Sequence, residues 1–165
     1  IIKWPGRIKP GQRNNVFFSS VDVMPTLLGL CGLTVPGGIY GHDLSKAALG
    51  EKCNAPDSVY LQILGPGWPH RGKWLGFWRG VRTDRWVYAR WWKDEIEPKL
   101  FDRLNDPYEM NNLYDRPEYA EIRGKMEKRL KQWMEATKDP FDTGERDPET
   151  GMLLLGQEFT SDKWK

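Results

Sequence analysis

The sequence predicts an α/β segment that runs into an α+β one: a strand and a helix at the front, then a small antiparallel sheet packed by one long C-terminal helix. Three stretches carry that prediction. "VFFSSVDVMPTLLGLCGL" passes from strand pattern to helix pattern, and "WLGFWRGVRTDRWVYARWW" reads as two strands around a Thr83-Asp84 turn. Tyr119, Ile122, Met126, Leu130, Trp133 and Met134 then recur at spacings of three and four, the apolar stripe of a helix that faces a core.

The elements follow in order. "IIKWPG" joins two β-branched residues and a Trp before Pro5 and Gly6, which predicts a short buried strand. A chain that opens on a strand without a polar lead-in reads as a piece of something longer. Ser19 or Ser20 is placed to cap the next helix, Asp22 sits in its positive first turn, and Pro25 is tolerated there. Leu27, Leu28 and Cys31 form its apolar face, and Gly32 stops it. "TVPGGIYGHDLSKAALGEKCNAPDS" is mostly loop with a short helical turn at Leu44–Leu49, and a domain seam is expected near residues 50 to 57. "SVYLQIL" is a strand, "GPGWPHRGKW" a Gly/Pro loop, and the hairpin strands run over Leu75–Arg82 and Trp86–Trp92. In the second of these, Trp86, Tyr88 and Arg90 alternate with Val87, Ala89 and Trp91, so one face is larger and more polar. A further strand is expected at Lys99–Asp102, and the long helix runs from Glu118 to about Thr137. The organisation expected is residues 1–50, 51–142 and a tail at 143–165.

Composition excludes several functions. The net charge of +2, from 25 basic and 23 acidic residues, gives no electrostatic footprint for nucleic acid. Cys31 and Cys53 have neither zinc spacing nor the density of a disulfide framework, and are expected to be buried thiols. No apolar run reaches the roughly 18 residues of a membrane span. Nine Trp in 165 residues is rich, and predicts an aromatic core or a surface that receives a ligand or another domain.

The chemistry-bearing residues are few. "LFDRLNDPYEMNNLYDRPE" gathers Asp102, Asn105, Asp106, Glu109, Asn111, Asn112, Asp115 and Glu118, an oxygen-rich set that could suit calcium. It fails the calcium-loop template, which needs ligands at every second position and a central Gly. It reads instead as a turn at Asn105-Asp106-Pro107, where Asn and Asp bond their own backbone, followed by Asp115 as helix cap. His42 reads as a locally bonded loop residue. His70, beside Arg71 and Lys73, is better placed to grip an anion. Arg79 and Arg82, three apart on one strand, should point to opposite faces.

"SSVDVMPTLLGLCGLTVP" resembles the sulfatase pattern of an Asp-x-x-Pro-Thr-Leu-Leu helix followed by Gly-Leu and Pro. "WRGVRTDRWVYARWW" and "LFDRLNDPYEMNNLYDRPEY" resemble that family's later strand pair and its Leu-Tyr-Asp-Leu, Asp-Pro-x-Glu, Asn-Leu signature, and "IIKWPGRIKPG" its Trp-Pro-Gly segment. The resemblance implies an alkaline-phosphatase-like α/β fold that cleaves sulfate esters or sulfamates. It implies residues 1–50 as the end of the catalytic domain and 51–142 as the C-terminal subdomain. The family's nucleophile is a formylglycine from a Cys/Ser-x-Pro/Ala-x-Arg motif beside a calcium ion, and neither "CGLTV" nor "CNAPD" is that motif. No catalytic or metal residue is therefore assigned here, and calcium and formylglycine are expected in a missing N-terminal part, the chain's expected partner. The resemblance implies that the C-terminal subdomain lends side chains to the pocket rim, which marks His70 and Arg71, then Arg79, as contacts to a sulfated small molecule or glycan, and Trp68 or Trp74 as a face on which a sugar could stack. The alternative reading is a non-catalytic domain that binds an anionic carbohydrate or protein through its Trp- and Arg-rich hairpin.

Overall fold

The computed structural model describes residues 1–63, 77–92 and 96–145, with the backbone alone at 69–70 and 73–74. The chain divides into two compact units, Ile1–Val59 and Tyr60–Lys165, so residues 51–59 go with the first.

In the first unit a 3-10 turn at Ser20–Asp22 leads into α1, Val23–Leu30. Asp22 fixes this entry from both sides of its carboxylate: Oδ2 accepts the Ser19 N–H at 2.6 Å and Oδ1 the His42 N–H at 2.7 Å. One turn on, the Thr26 hydroxyl donates to the His42 carbonyl at 3.3 Å and accepts the Leu44 N–H at 3.1 Å. These bonds bring residues 41–44 onto α1 so closely that a Cβ on Gly41 would lie 1.9 Å from the Val21 carbonyl oxygen. Only Gly fits there. Gly32 ends the helix as expected: its φ is +70°, and the Leu33 N–H reaches the Leu28 carbonyl at 2.9 Å. Helix α2, Ser45–Leu49, stops at left-handed Gly50.

Two expectations for this unit are corrected. "IIKWPG" forms no strand, and Ile1, Ile2 and Trp4 are exposed. A strand needs a neighbour for its N–H and C=O groups, and the described residues of this unit contain no strand for it to join. Cys53 is half-buried, and Cys31 is exposed because α1 buries Pro25 and Thr26 while Met24 and Leu27 stay open on the side that Cys31 continues.

The second unit is the expected α+β piece: a four-stranded antiparallel sheet and a long helix. Strands β1 (Val59–Ile63), β4 (Trp78–Arg82), β5 (Trp86–Trp91) and β6 (Lys99–Asp102) lie in the order β1-β4-β5-β6. Two short strands, β2 (Pro69–His70) and β3 (Lys73–Trp74), pair separately, His70 opposite Lys73. The hairpin closes where the Thr83 N–H meets the Trp86 carbonyl at 2.8 Å. Val81 lies opposite Tyr88, and Tyr88 opposite Leu100, so one row crosses three strands on one face. Helix α3, Ala120–Ala136, lays Met126, Leu130 and Met134 on that face, with Phe77, Leu113 and Phe141 completing a core. Leu130 is completely buried, and burial of such a side chain contributes about 1.5–3 kcal/mol. The larger face of β5 is the one that packs: Trp86 meets Tyr119 edge-on at 6.0 Å, and Tyr88 stacks on Tyr114 at 6.3 Å.

The link from β6 to α3 corrects the cap expected at Asp115. Arg116 precedes the 3-10 turn Pro117–Tyr119, no side chain caps it, and Asp115 instead shares a hydrogen bond with Glu97 that pushes its carboxyl above the ordinary range. Asn112 does the fastening: Oδ1 accepts the Leu100 N–H at 2.9 Å and the Tyr114 N–H at 3.2 Å, while Nδ2 donates to Pro98 O at 3.1 Å.

Candidate functional site

Among the described residues of the second unit, the most enclosed polar side chain is Arg79, which is completely buried. It lies on the same face of β4 as Val81, so the sheet's alternation turns it under the far end of α3. The chain leaving that helix supplies Asp139, whose carboxylate accepts Nε at 2.8 Å and Nη2 at 3.2 Å, the bidentate geometry of a guanidinium with a carboxylate. Nη1 donates to the carbonyls of Ile63 and Trp78, each at 3.0 Å. The guanidinium stands 4.6 Å from the centre of the Phe141 ring. The Tyr60 hydroxyl donates to Asp139 at 2.9 Å, and burial together with that carboxylate raises the Tyr60 pKa. One buried group thus joins β1, β4 and the segment after α3.

This placement differs from the expectation that Arg79 reaches substrate. Its donors are spent inside the unit, where a buried charge must be paired. The face assignment was legible in the sequence, since Arg82 does lie on the opposite side and is half-buried. Asp139, 60 residues away, was not. Of the other two expected contacts, Arg71 and the side chain of His70 lie outside the described residues, as do Trp68 and the Trp74 side chain. Ile63, held by Arg79, is the last residue of β1 before the stretch that carries His70.

The oxygen-rich stretch does not fit a calcium ion. Asp102, nearly buried, accepts Arg85 Nε at 2.9 Å and Nη2 at 2.7 Å, Asn105 Nδ2 at 2.8 Å and the Leu104 N–H at 3.2 Å. The Arg85 guanidinium above all holds its pKa down to about 2. Asp106 accepts the Asn111 N–H at 2.7 Å. So Asp102, more than Asn105 or Asp106, organises the turn. Among the described residues no three His, Cys, Asp or Glu side chains are grouped to hold a metal.

The first unit presents a different feature. Val21, Val23, Met24 and Leu27 are each about half exposed on and before α1, and Ile1, Ile2, Trp4 and Phe18 are also open. A cavity of about 680 Å³ lies between that N-terminal segment and α2, lined by Ile1, Trp4, Ile8, Phe18, Leu44 and Ala47 among others. Apolar side chains exposed in this number set this unit apart from an ordinary closed surface. The sequence signal was the Leu27–Cys31 stripe, which predicts an apolar face but not which partner it meets. His42, at 3.3 Å from Asp22 through Nδ1, is bonded locally, as its loop setting predicted.

The family model and the curated relatives point to one family. The family model for the C-terminal region of N-sulphoglucosamine sulphohydrolase matches residues 1–136. An ulvan-active sulfatase of Formosa agariphila is 30% identical over 145 residues, 86% of this chain and 27% of its own length. An N-acetylglucosamine-6-O-sulfatase of Bacteroides thetaiotaomicron is 29% identical over 94% of this chain and 27% of its own. A solved structure in complex with its substrate D-glucosamine-2-N,6-O-disulfate superposes with a TM-score of 0.76 at 26% identity, covering 87% of this chain and 29% of that one. The chain spans about a quarter of the curated relatives it matches, with the fold of their alkaline-phosphatase-like class. The chain belongs to the sulfatases, as a C-terminal domain of the N-sulphoglucosamine sulphohydrolase type.

Proposed function

We propose that this chain is the C-terminal part of an enzyme that hydrolyses sulfate esters or sulfamates of glycans, and that it is inactive alone. The observation that carries the reading is the unbroken family match over residues 1–136, in a chain that spans about 27% of its curated relatives. The nucleophile motif and the calcium ligands belong to the remainder, since Cys31 and Cys53 stand in "CGLTV" and "CNAPD" and the residues described do not fit calcium. The apolar face of α1 and the N-terminal segment is where that remainder docks. The sulfated sugars in the names of its relatives support a glycan substrate. His70 and Arg71 contact that substrate's anionic groups from the pocket rim.

The test is complementation. The chain alone, with calcium, gives no turnover of an aryl sulfate or of glucosamine 6-sulfate. Joined to an N-terminal sulfatase segment that carries Cys/Ser-x-Pro/Ala-x-Arg, it supports turnover, and Arg71→Ala raises KM by about tenfold or more, the value of one lost ionic contact. Turnover by the chain alone, abolished by a change at one of its own residues, contradicts the proposal.

A further inference from the structure

The residues between Ile63 and Trp78 include the two short strands β2 and β3, which pair antiparallel with His70 opposite Lys73, so Arg71 falls in the link between them. The stretch stands on two feet, the end of β1 at Ile63 and the start of β4 at Trp78. The feet are held differently. Phe77, just before Trp78, is buried in the core, and its carbonyl accepts the Trp92 N–H at 3.0 Å. Strand β1 ends on Gln62 and Ile63, both exposed, so burial does little to fix that end. Arg79 reaches it instead. Nε and Nη2 are taken by Asp139, which leaves Nη1 with two N–H groups, and these go to the carbonyls of Ile63 and Trp78, each at 3.0 Å. One nitrogen thus closes the base of the stretch. Because Arg79 is completely buried, water does not compete for those bonds.

We infer that Arg79 is a positioning residue, which holds the two feet of residues 64–77 together and so sets where His70 and Arg71 stand toward substrate. The inference rests on the substrate role proposed for those two residues and adds the side chain that places them. A contact carried on a loop is only as exact as the scaffold beneath it, and a displacement of about 1 Å at a binding group costs affinity or rate. A guanidinium suits the task. Its planar fork serves a carboxylate and two carbonyls at once, whereas a lysine ammonium has a single nitrogen. The Tyr60 hydroxyl supports the same carboxylate at 2.9 Å, and its one proton is spent there. Stability and placement of the stretch are therefore separable by substitution.

Hydrogen exchange by mass spectrometry on the 165-residue chain reads the tie directly. Arg79→Met with Asp139→Leu removes both charges together, which keeps the unit folded, yet leaves the Ile63 and Trp78 carbonyls without their donor. Exchange at residues 64–77 is expected to be at least about tenfold faster in this double variant, with α3 protected as in the parent. Arg79→Lys, which keeps a cation beside Asp139, is expected to loosen the same residues. Tyr60→Phe loses a hydrogen bond but keeps the tie, and its exchange at 64–77 is expected to match the parent. In the enzyme formed with an N-terminal sulfatase segment, the double variant raises KM about fivefold or more with kcat within about twofold. On an Arg71→Ala background it adds less than about twofold, because it acts through that residue. Unchanged exchange at 64–77 in both Arg79 variants, or equal acceleration in Tyr60→Phe, overturns the inference, as does a KM effect that multiplies fully with that of Arg71→Ala. Arg71→Ala without effect on KM, alongside faster exchange in the Arg79 variants, supports the tie and overturns instead the substrate role given to His70 and Arg71.

Discussion

Arg79 shows how a single buried charge decides what the residues around it can do. Its guanidinium and the Asp139 carboxylate are both almost wholly removed from water, so each stabilises the fold only while the other is present. Truncation leaves Asp139 and the Tyr60 hydroxyl facing each other without a cation. Arg79→Ala is expected to destabilise the second unit by about 3–5 kcal/mol, the usual cost of breaking a buried pair, measured by chemical denaturation. A double variant, Arg79→Met with Asp139→Leu, should recover much of that loss, because removal of both charges leaves none unpaired. A loss under about 1 kcal/mol for Arg79→Ala contradicts this account.

At the scale of the element, the end of β6 is a hub built on Asp102 and Asn112. Asn112 ties the first residues of β6 to the segment that enters α3, while Asp102 ties the last to Arg85 and the following turn. The folded pKa of Asp102 is about 2 against roughly 3.9 for an unfolded Asp. A depressed carboxyl contributes stability that is fully present above the unfolded value and is lost as pH falls toward the folded one. The second unit should therefore lose stability between about pH 4 and pH 2. Asp102→Asn should be less stable at neutral pH and flatter across that window, as followed by denaturation at each pH. A variant as steep as the parent places the titration elsewhere.

At the scale of the whole molecule, the two units differ in how completely they close. Among the described residues the second has a core of nine buried side chains centred on Val81, Tyr88, Leu100 and Leu130 and leaves Leu104, Tyr108 and Met110 exposed on the link from β6 to α3, whereas the first leaves Ile1, Trp4, Phe18, Met24 and Leu27 in water. Exposed apolar surface of that extent drives association. The chain on its own is expected to self-associate in size-exclusion chromatography with light scattering, and to become monodisperse when joined to the N-terminal sulfatase segment. A monodisperse chain without that segment contradicts the docking role of α1.

Local pattern reached far into this protein. The stripe from Tyr119 to Met134, the Thr83-Asp84 hairpin, the strand at Lys99–Asp102 and the stop at Gly32 were all legible in the sequence, because each depends on neighbours within a few positions. The family motifs were legible for the same reason. The sequence could also place Arg79 and Arg82 on opposite faces, yet it could not say which face the helix covers. That depended on Asp139 and Phe141 returning over β4 from 60 residues away, and with it the fate of Arg79 as an internal tie. The strand pattern of "IIKWPG" and the apolar stripe of Leu27 and Cys31 failed locally for the converse reason. A strand exists only beside another strand, and an apolar face is buried only by a partner. Sequence by itself determined the periodicities, the stops and the family. Tertiary structure alone decided which charges are paired in the interior and which apolar faces remain open, since both depend on distant segments meeting in space.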